Sequence, residues 1–339
     1  MCCLVLLALL AGCRPAPQPL PPAPTPTLEA VQPIRLPDDD APHNLLTEWW
    51  YYTGHLDAGS GRRYGFELVT FQVLRGQSPP YYVAHYAITD HQRHSFHFDQ
   101  RARAQDRPAP GPGFDLDVDG WTMRGAGGSD HLAAAMEGYA IDLATQASKP
   151  PALHNVDGYL ALGAAGGSYY YSRTRLDVAG VVEDHGERWP VRGLAWFDHQ
   201  WGNFLVGIGG GWDWYSVQLD DDSELTLSVV RDEQGEVRLR YGTYVDPKGG
   251  TTHLAAGDFQ AEATGAWLSP HSGARYPMGW RLRTTRPELS LTLSPVLEDQ
   301  ELSLGSGTTY WEGEVTVAGF TADGPIAGQG YVELTGYAR

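Results

Sequence analysis

The chain has 339 residues, with 24 Lys and Arg against 41 Asp and Glu, a net charge of −17. That length suits two domains of ordinary size, and such a charge argues against a surface built for nucleic acid or an anionic membrane face. With 41 Gly, 24 Pro and 11% aromatic residues, the composition favours many short strands joined by turns.

The chain opens on an apolar run, residues 4–11, that ends in Leu10-Ala11-Gly12-Cys13. The run is too short to span a bilayer and has the length of a signal-peptide core. Small residues before a cysteine at its end resemble the bacterial lipobox, so residues 1–13 are expected to be a lipoprotein signal with Cys13 the lipidated residue. All three cysteines fall in this stretch, which leaves the remainder without a disulfide. Residues 14–42, rich in proline, read as a semi-rigid tether. Arg14 after the cysteine, by resemblance to enterobacterial sorting, favours the periplasmic face of the outer membrane.

Past residue 43 the hydrophobic period is mostly two. Strands are expected at Tyr64 to Val73, Tyr81 to Thr89, Ser168 to Leu176, Leu194 to Gln200, Trp214 to Asp220, Glu224 to Arg231 and Val237 to Val245. Turn-forming residues at 57–61, 232–235 and 246–250 separate them. The one helix candidate is Asp130 to Gly138. Gly207, Gly209, Gly210 and Gly211 mark a boundary between a first domain, 43–206, and a second, 207–339.

A phrase recurs across that boundary. Trp49-Trp50-Tyr51-Tyr52-Thr53-Gly54-His55-Leu56-Asp57 returns as Trp212-Asp213-Trp214-Tyr215-Ser216-Val217-Gln218-Leu219-Asp220. Trp196-Phe197-Asp198 returns as Tyr331-Val332-Glu333, so each unit closes on an aromatic residue two positions before a carboxylate. Long-period similarity of this kind means one module used twice. Each unit is long enough for an antiparallel barrel of about eight to ten strands.

Glu48 to Leu56, Trp196-Phe197-Asp198-His199-Gln200-Trp201-Gly202 and Trp212-Asp213-Trp214-Tyr215, in that order, resemble the AttH/CrtC family. That family includes bacterial carotenoid 1,2-hydratase (hydroxyneurosporene synthase) together with secreted and lipoprotein members. The resemblance spans residues 43–339 and implies an all-β fold of two tandem lipocalin-like antiparallel barrels. In the hydratases the carboxylate of the aromatic-x-Asp motif looks like the proton donor, a role that maps onto Asp198. Trp196 stands where those proteins tend to carry Tyr.

In a strand, Trp196, Asp198 and Gln200 share one face, while Ala195, Phe197 and His199 share the other. If the Trp196 face lines a barrel lumen, as the resemblance suggests, burial raises the Asp198 carboxyl pKa and keeps it protonated. A neutral acid can protonate an isolated C=C, and aromatic faces can hold the carbocation that forms. Asp198, Trp196 and His199 are therefore the candidate catalytic residues. Trp50, Tyr52, His55, His85, Tyr169, Tyr171, Trp201, Trp212 and Trp214 are the candidate ligand-binding residues, with Tyr170 beside them. The competing reading makes Asp198 a structural hydrogen-bonding residue. Glu48 is expected to pair with Arg173 or Arg175.

His91, His94 and His97 do not share one strand face, and no zinc motif occurs, so no metal and no cofactor are expected. A Gly-x-Ser-x-Gly elbow is missing. The leading expectation is a lipid-anchored carrier of a long apolar isoprenoid or acyl ligand. The alternatives are a hydro-lyase using Asp198, a secreted glycan hydrolase and a packing platform in an envelope assembly. The expected partners are a hydrophobic small molecule and, through the anchor, a membrane; no nucleic acid is expected, and the oligomeric state stays open.

Overall fold

The computed structural model describes residues 31–338 apart from 75, 77–78, 109–110, 163–165, 205–209 and 304–308. Cys13, the signal, most of the tether and part of the glycine run lie outside the described residues. The first sheet is built from β1 (Thr47–Asp57), β2 (Arg63–Val73), β3 (Tyr81–Asp90), β4 (Ser95–Ala104), β5 (Phe114–Val118), β6 (Trp121–Ala126), β7 (Ser129–Met136), β8 (Tyr139–Ala147), β9 (Ala152–Leu153), β10 (Tyr159–Ala161), β11 (Gly166–Asp184) and β12 (Glu187–Phe204). The second holds β13 (Gly211–Leu219), β14 (Glu224–Arg231), β15 (Val237–Val245), β16 (Thr251–Leu254), β17 (Phe259–Leu268), β18 (Arg275–Thr285), β19 (Glu288–Pro295), β20 (Glu301–Ser303), β21 (Thr309–Thr321) and β22 (Gly324–Thr335).

The protein is thus all-β, two curled antiparallel sheets in tandem with lipocalin-like barrel form. Both have one topology. In each, the first strand pairs with the last, β1 with β12 and β13 with β22, and the long penultimate strand flanks the last on its other side. Side chains close the first barrel where its edge strands meet. Arg101 and Arg103 of β4 reach Asp119 in the turn after β5, Gln105 donates to the Asp117 carbonyl at 2.8 Å, and Arg101 lies over Trp121.

Alternation sorts the residues of each strand between two faces. Trp50, Tyr52, Phe66, Leu68, Tyr82, Tyr86, Tyr171 and Phe197 fill the first barrel. Tyr215, Val217, Leu227, Trp280, Trp311, Val332 and Leu334 fill the second. The two cores each bury a dozen or more large side chains, so the interiors are packed rather than hollow. A bulge in β11 between Arg173 and Leu176 reverses the alternation: Tyr171 faces inward before it, and Leu176, Val178 and Val182 after it.

The expected helix at Asp130 to Gly138 is instead β7 and a turn. Its alanines favour helix, but Asp130, Leu132 and Ala134 alternate into the barrel, and pairing with β6 and β8 overrides the local preference. Glu48 pairs with neither expected arginine. Arg173 binds the fully buried Asp40 of the segment before β1, and Arg175 binds Glu224 of the second domain.

Candidate active site

The Trp196 face does not line a lumen. In β12 it is Ala195, Phe197, His199 and Trp201 that turn into the first barrel, while Trp196 and Asp198 turn outward against the second. A buried cluster of Tyr51, Val69, Trp196, Trp214 and Tyr331, aromatic but for Val69, joins the two barrels, edged by half-buried Trp49, Phe71 and Trp212. Tyr51 and Trp214 occupy equivalent positions of the repeated phrase, and their rings meet edge to face at 5.9 Å. Equivalent residues touch each other only near an axis relating the two units, so the barrels dock with pseudo-two-fold symmetry.

Carboxyls stand behind this aromatic layer. Asp198 lies opposite Tyr51 across β1 and β12. Its Oδ2 accepts from the Tyr170 hydroxyl at 2.5 Å, and its Oδ1 accepts from the Trp196 indole at 2.7 Å and from the Ser172 hydroxyl. Trp214 of the second barrel donates to Tyr170 at 3.2 Å. Ser172 is held in turn by His154 Nε2 at 2.7 Å, whose Nδ1 lies 2.9 Å from the Thr243 hydroxyl. Burial pulls His154 down to about 3, so it is neutral. Burial raises Asp198 to about 6, and its three donors oppose the rise.

The second barrel contributes Glu312 on β21 and Glu333 on β22, direct cross-strand neighbours. Glu67 of β2 faces them. Tyr310 donates to Glu67 Oε1 at 2.8 Å, and His85 Nδ1 lies 2.7 Å from the same tyrosine oxygen. Since Tyr310 gives its proton to Glu67, His85 donates through Nδ1 and its Nε2 carries a bare lone pair. Trp212 donates to Glu333 Oε2 at 2.8 Å. Both oxygens of Glu312, Oε2 of Glu67, the Tyr51 hydroxyl and His85 Nε2 are buried without a hydrogen-bond partner among the described residues.

Two like charges facing each other in a dry interface cannot both persist. Burial, then repulsion from Glu67 and Glu333, drives the Glu312 carboxyl well above the usual range. Burial likewise raises Glu67, and it raises Glu333, which keeps some solvent contact beside Trp212. The site therefore offers neutral carboxylic acids, an Asp near its titration point, phenols and indoles. It can donate a proton, accept one, and shelter positive charge against ring faces.

A sequence model described as AttH-like matches residues 27–337. The chain belongs to the AttH-like family. No curated protein matches it. The AttH protein NE1406 of Nitrosomonas europaea has a crystal structure similar to this chain, with 30% identity, TM-score 0.83 and coverage of 93% of this chain and 99% of that one. Kievitone hydratase from Nectria haematococca shares the fold at 18% identity and TM-score 0.74, covering 92% and 96%. CghA shares it at 12% identity and TM-score 0.62, covering 94% and 96%.

In this AttH-like chain the residues singled out by sequence divide between two places. Asp198, Trp196, His85, Trp212, Trp214 and Tyr170 meet between the barrels. His55 is also there, hydrogen-bonded at 2.8 Å to Glu314 and beside Tyr331. His199, Trp50, Tyr52, Tyr171 and Trp201 face the first barrel's interior; Tyr169 stacks on Trp201 at its rim. His91 binds Glu314 of the second barrel at 2.7 Å, while His97 contacts Ser95, so these two histidines do not converge. Glu67, Glu312 and Tyr310 are additions. Their one sequence signal is a carboxylate inside an apolar strand run, as in Phe66-Glu67-Leu68-Val69, and it is weak.

Proposed function

We propose that this protein is a hydro-lyase that adds water across, or removes it to form, a C=C of a long apolar molecule held between the two barrels. The observation that carries the reading is Glu312, a buried carboxyl with both oxygens free, held in its acid form and facing aromatic rings. Glu312 protonates one alkene carbon. Positive charge develops on the other and is stabilised by Tyr51, Trp214 and their neighbours. Water adds there and releases a proton to Asp198. Asp198 takes the base role because its three donors favour the anion and one of its about four lone-pair sites stays free. A fold neighbour named as a hydratase supports the reaction class.

We carry the apolar-ligand expectation over to the partly buried aromatic edge of Trp49, Phe71 and Trp212. With Cys13 as a lipidated residue, that edge would meet its substrate at an envelope membrane. The test is turnover of alkene-bearing isoprenoids in deuterated water, read as carbon-bound deuterium. Glu312→Gln is expected to lose about 10²–10⁴-fold. Undiminished turnover in that variant would falsify the assignment.

A further inference from the structure

The residues before β1 pack against the first barrel's core through Ile34, Leu36 and Leu45. Asp40 is fully buried there, ion-paired to Arg173 at 2.8 Å. His43, three residues on, meets Glu48 of β1 and His199 of β12. His43 Nδ1 and His199 Nε2 each lie 2.8 Å from the same oxygen, Glu48 Oε1. The three atoms fall within 4.8 Å of one another. The side chains of Glu48 and His199 are fully buried, and that of His43 is 20% exposed, which leaves an approach from solvent on one side.

Both rings are fixed. His43 stacks on Trp201 at 4.3 Å and 3°, and His199 stacks on Trp50 at 4.9 Å. Their far nitrogens face acceptors. Tyr171 gives its proton to Asp40, so its oxygen can accept from His199 Nδ1 at 3.4 Å; Asp39 Oδ1 stands 3.5 Å from His43 Nε2. With each ring's proton on its far nitrogen, two lone pairs point at one carboxylate oxygen. That tautomer pair leaves three lone-pair atoms converging where a cation can sit. Gln72 and the His43 backbone N–H hold the other Glu48 oxygen at 3.2 and 2.7 Å.

We propose that His43, Glu48 and His199 form a binding site for a divalent transition-metal ion of the zinc type, which fastens the segment before β1 to the first barrel. Two imidazoles and one carboxylate, with a fourth position open to water, form a known zinc ligand set, and partners on the far nitrogens are what metal-binding histidines show. Ligands about 2.0–2.2 Å from zinc stand roughly 3.3 Å apart, so each nitrogen must draw back from the Glu48 oxygen by about half an ångström, with the two nitrogens already within 4.8 Å of each other. His43, on a loop at the rim, can supply that shift. The spaced histidines 91, 94 and 97 offered no such convergence, and these three residues are too far apart in sequence to suggest it.

The test is titration of the chelator-stripped full chain with zinc chloride, by calorimetry and by thermal unfolding. A tight site is expected, with proton release, a raised melting temperature, and loss of about 100-fold or more in affinity in His43→Gln. Asp39→Asn should lose about tenfold. His43 is partly exposed and His199 fully buried, so the His43 variant is the one that keeps the fold. Zinc binding and stabilisation that persist unchanged in His43→Gln, as cysteine thiols at the start of the chain could produce, would overturn the proposal, as would no binding at all.

Discussion

Asp198 and Glu312 are both buried carboxyls, yet their surroundings set them apart. Three donors converge on Asp198, whereas Glu312 has like charges around it and no donor of good geometry. The first favours the anion and the second the acid, which is how one site can carry a base and an acid at the same pH. The rate should therefore fall on both sides. Below about 6 Asp198 takes up a proton and ceases to be a base; at high pH Glu312 finally loses its own. A pH–rate profile of Asp198→Asn is expected to lose most activity and the acidic limb with it, whereas an unchanged limb would move the base elsewhere. The Asp198 motif was legible in the chain, but its surroundings were not. Parity along β12 separated Trp196 and Asp198 from His199 correctly and could not say which face was inside. Glu312 was invisible because the group that buries it is another barrel.

Strand register turns those carboxyls into a stability term. Glu312 and Glu333 face each other across β21 and β22, so the folded state holds protons that the unfolded chain gives up. Their pKa values are raised on folding, so the stability they contribute is complete below about 4.5 and declines as pH climbs toward neutral. Glu312→Gln is expected to be more stable than the parent by about 1–3 kcal/mol at pH 8, with little difference at pH 4.5, in denaturant unfolding. A flat difference across that range would show that Glu312 is ionised in the fold. Gly65 on β2 is a second such position. A Cβ there would stand 2.4 Å from Glu314 Oε2 and 2.5 Å from the Tyr331 hydroxyl. Gly65→Ala should push β21 and β22 off β2 and cost about 1–3 kcal/mol, measured in the same way. The strands themselves were readable from alternation and turn residues. The misplaced helix at 130–138 shows the limit, since an alanine run has no strong period and its strand partners lie outside the window.

Docking of the two barrels is polar as well as aromatic. Glu314 of the second barrel binds His55 and His91 of the first at 2.8 and 2.7 Å, and the two histidines hold its carboxyl down to about 2. As far as the carboxyl's own proton is concerned, that contribution is present above the unfolded value of about 4.3 and is lost as pH falls through the folded one. Glu314→Gln should loosen the interface by about 1–3 kcal/mol, read as faster amide exchange in β2 and β22 with both barrel cores protected. Uniform protection would mean the histidines contribute nothing to docking. Two repeats were plain from the duplicated phrase, but nothing in the phrase said that equivalent residues would meet. What it could not foretell is how far the halves have diverged at their meeting place. Tyr51 of one phrase answers Trp214 of the other, Asp198 answers Glu333, and Ser172 of β11 stands where β21 has Glu312. Under the proposed hydro-lyase reading, a flat molecule lying across this axis would meet the free acid on one side and the hydrogen-bonded aspartate on the other. Proton and water would then arrive from fixed, opposite directions, and a substrate with two mirror-related faces would leave as a single enantiomer.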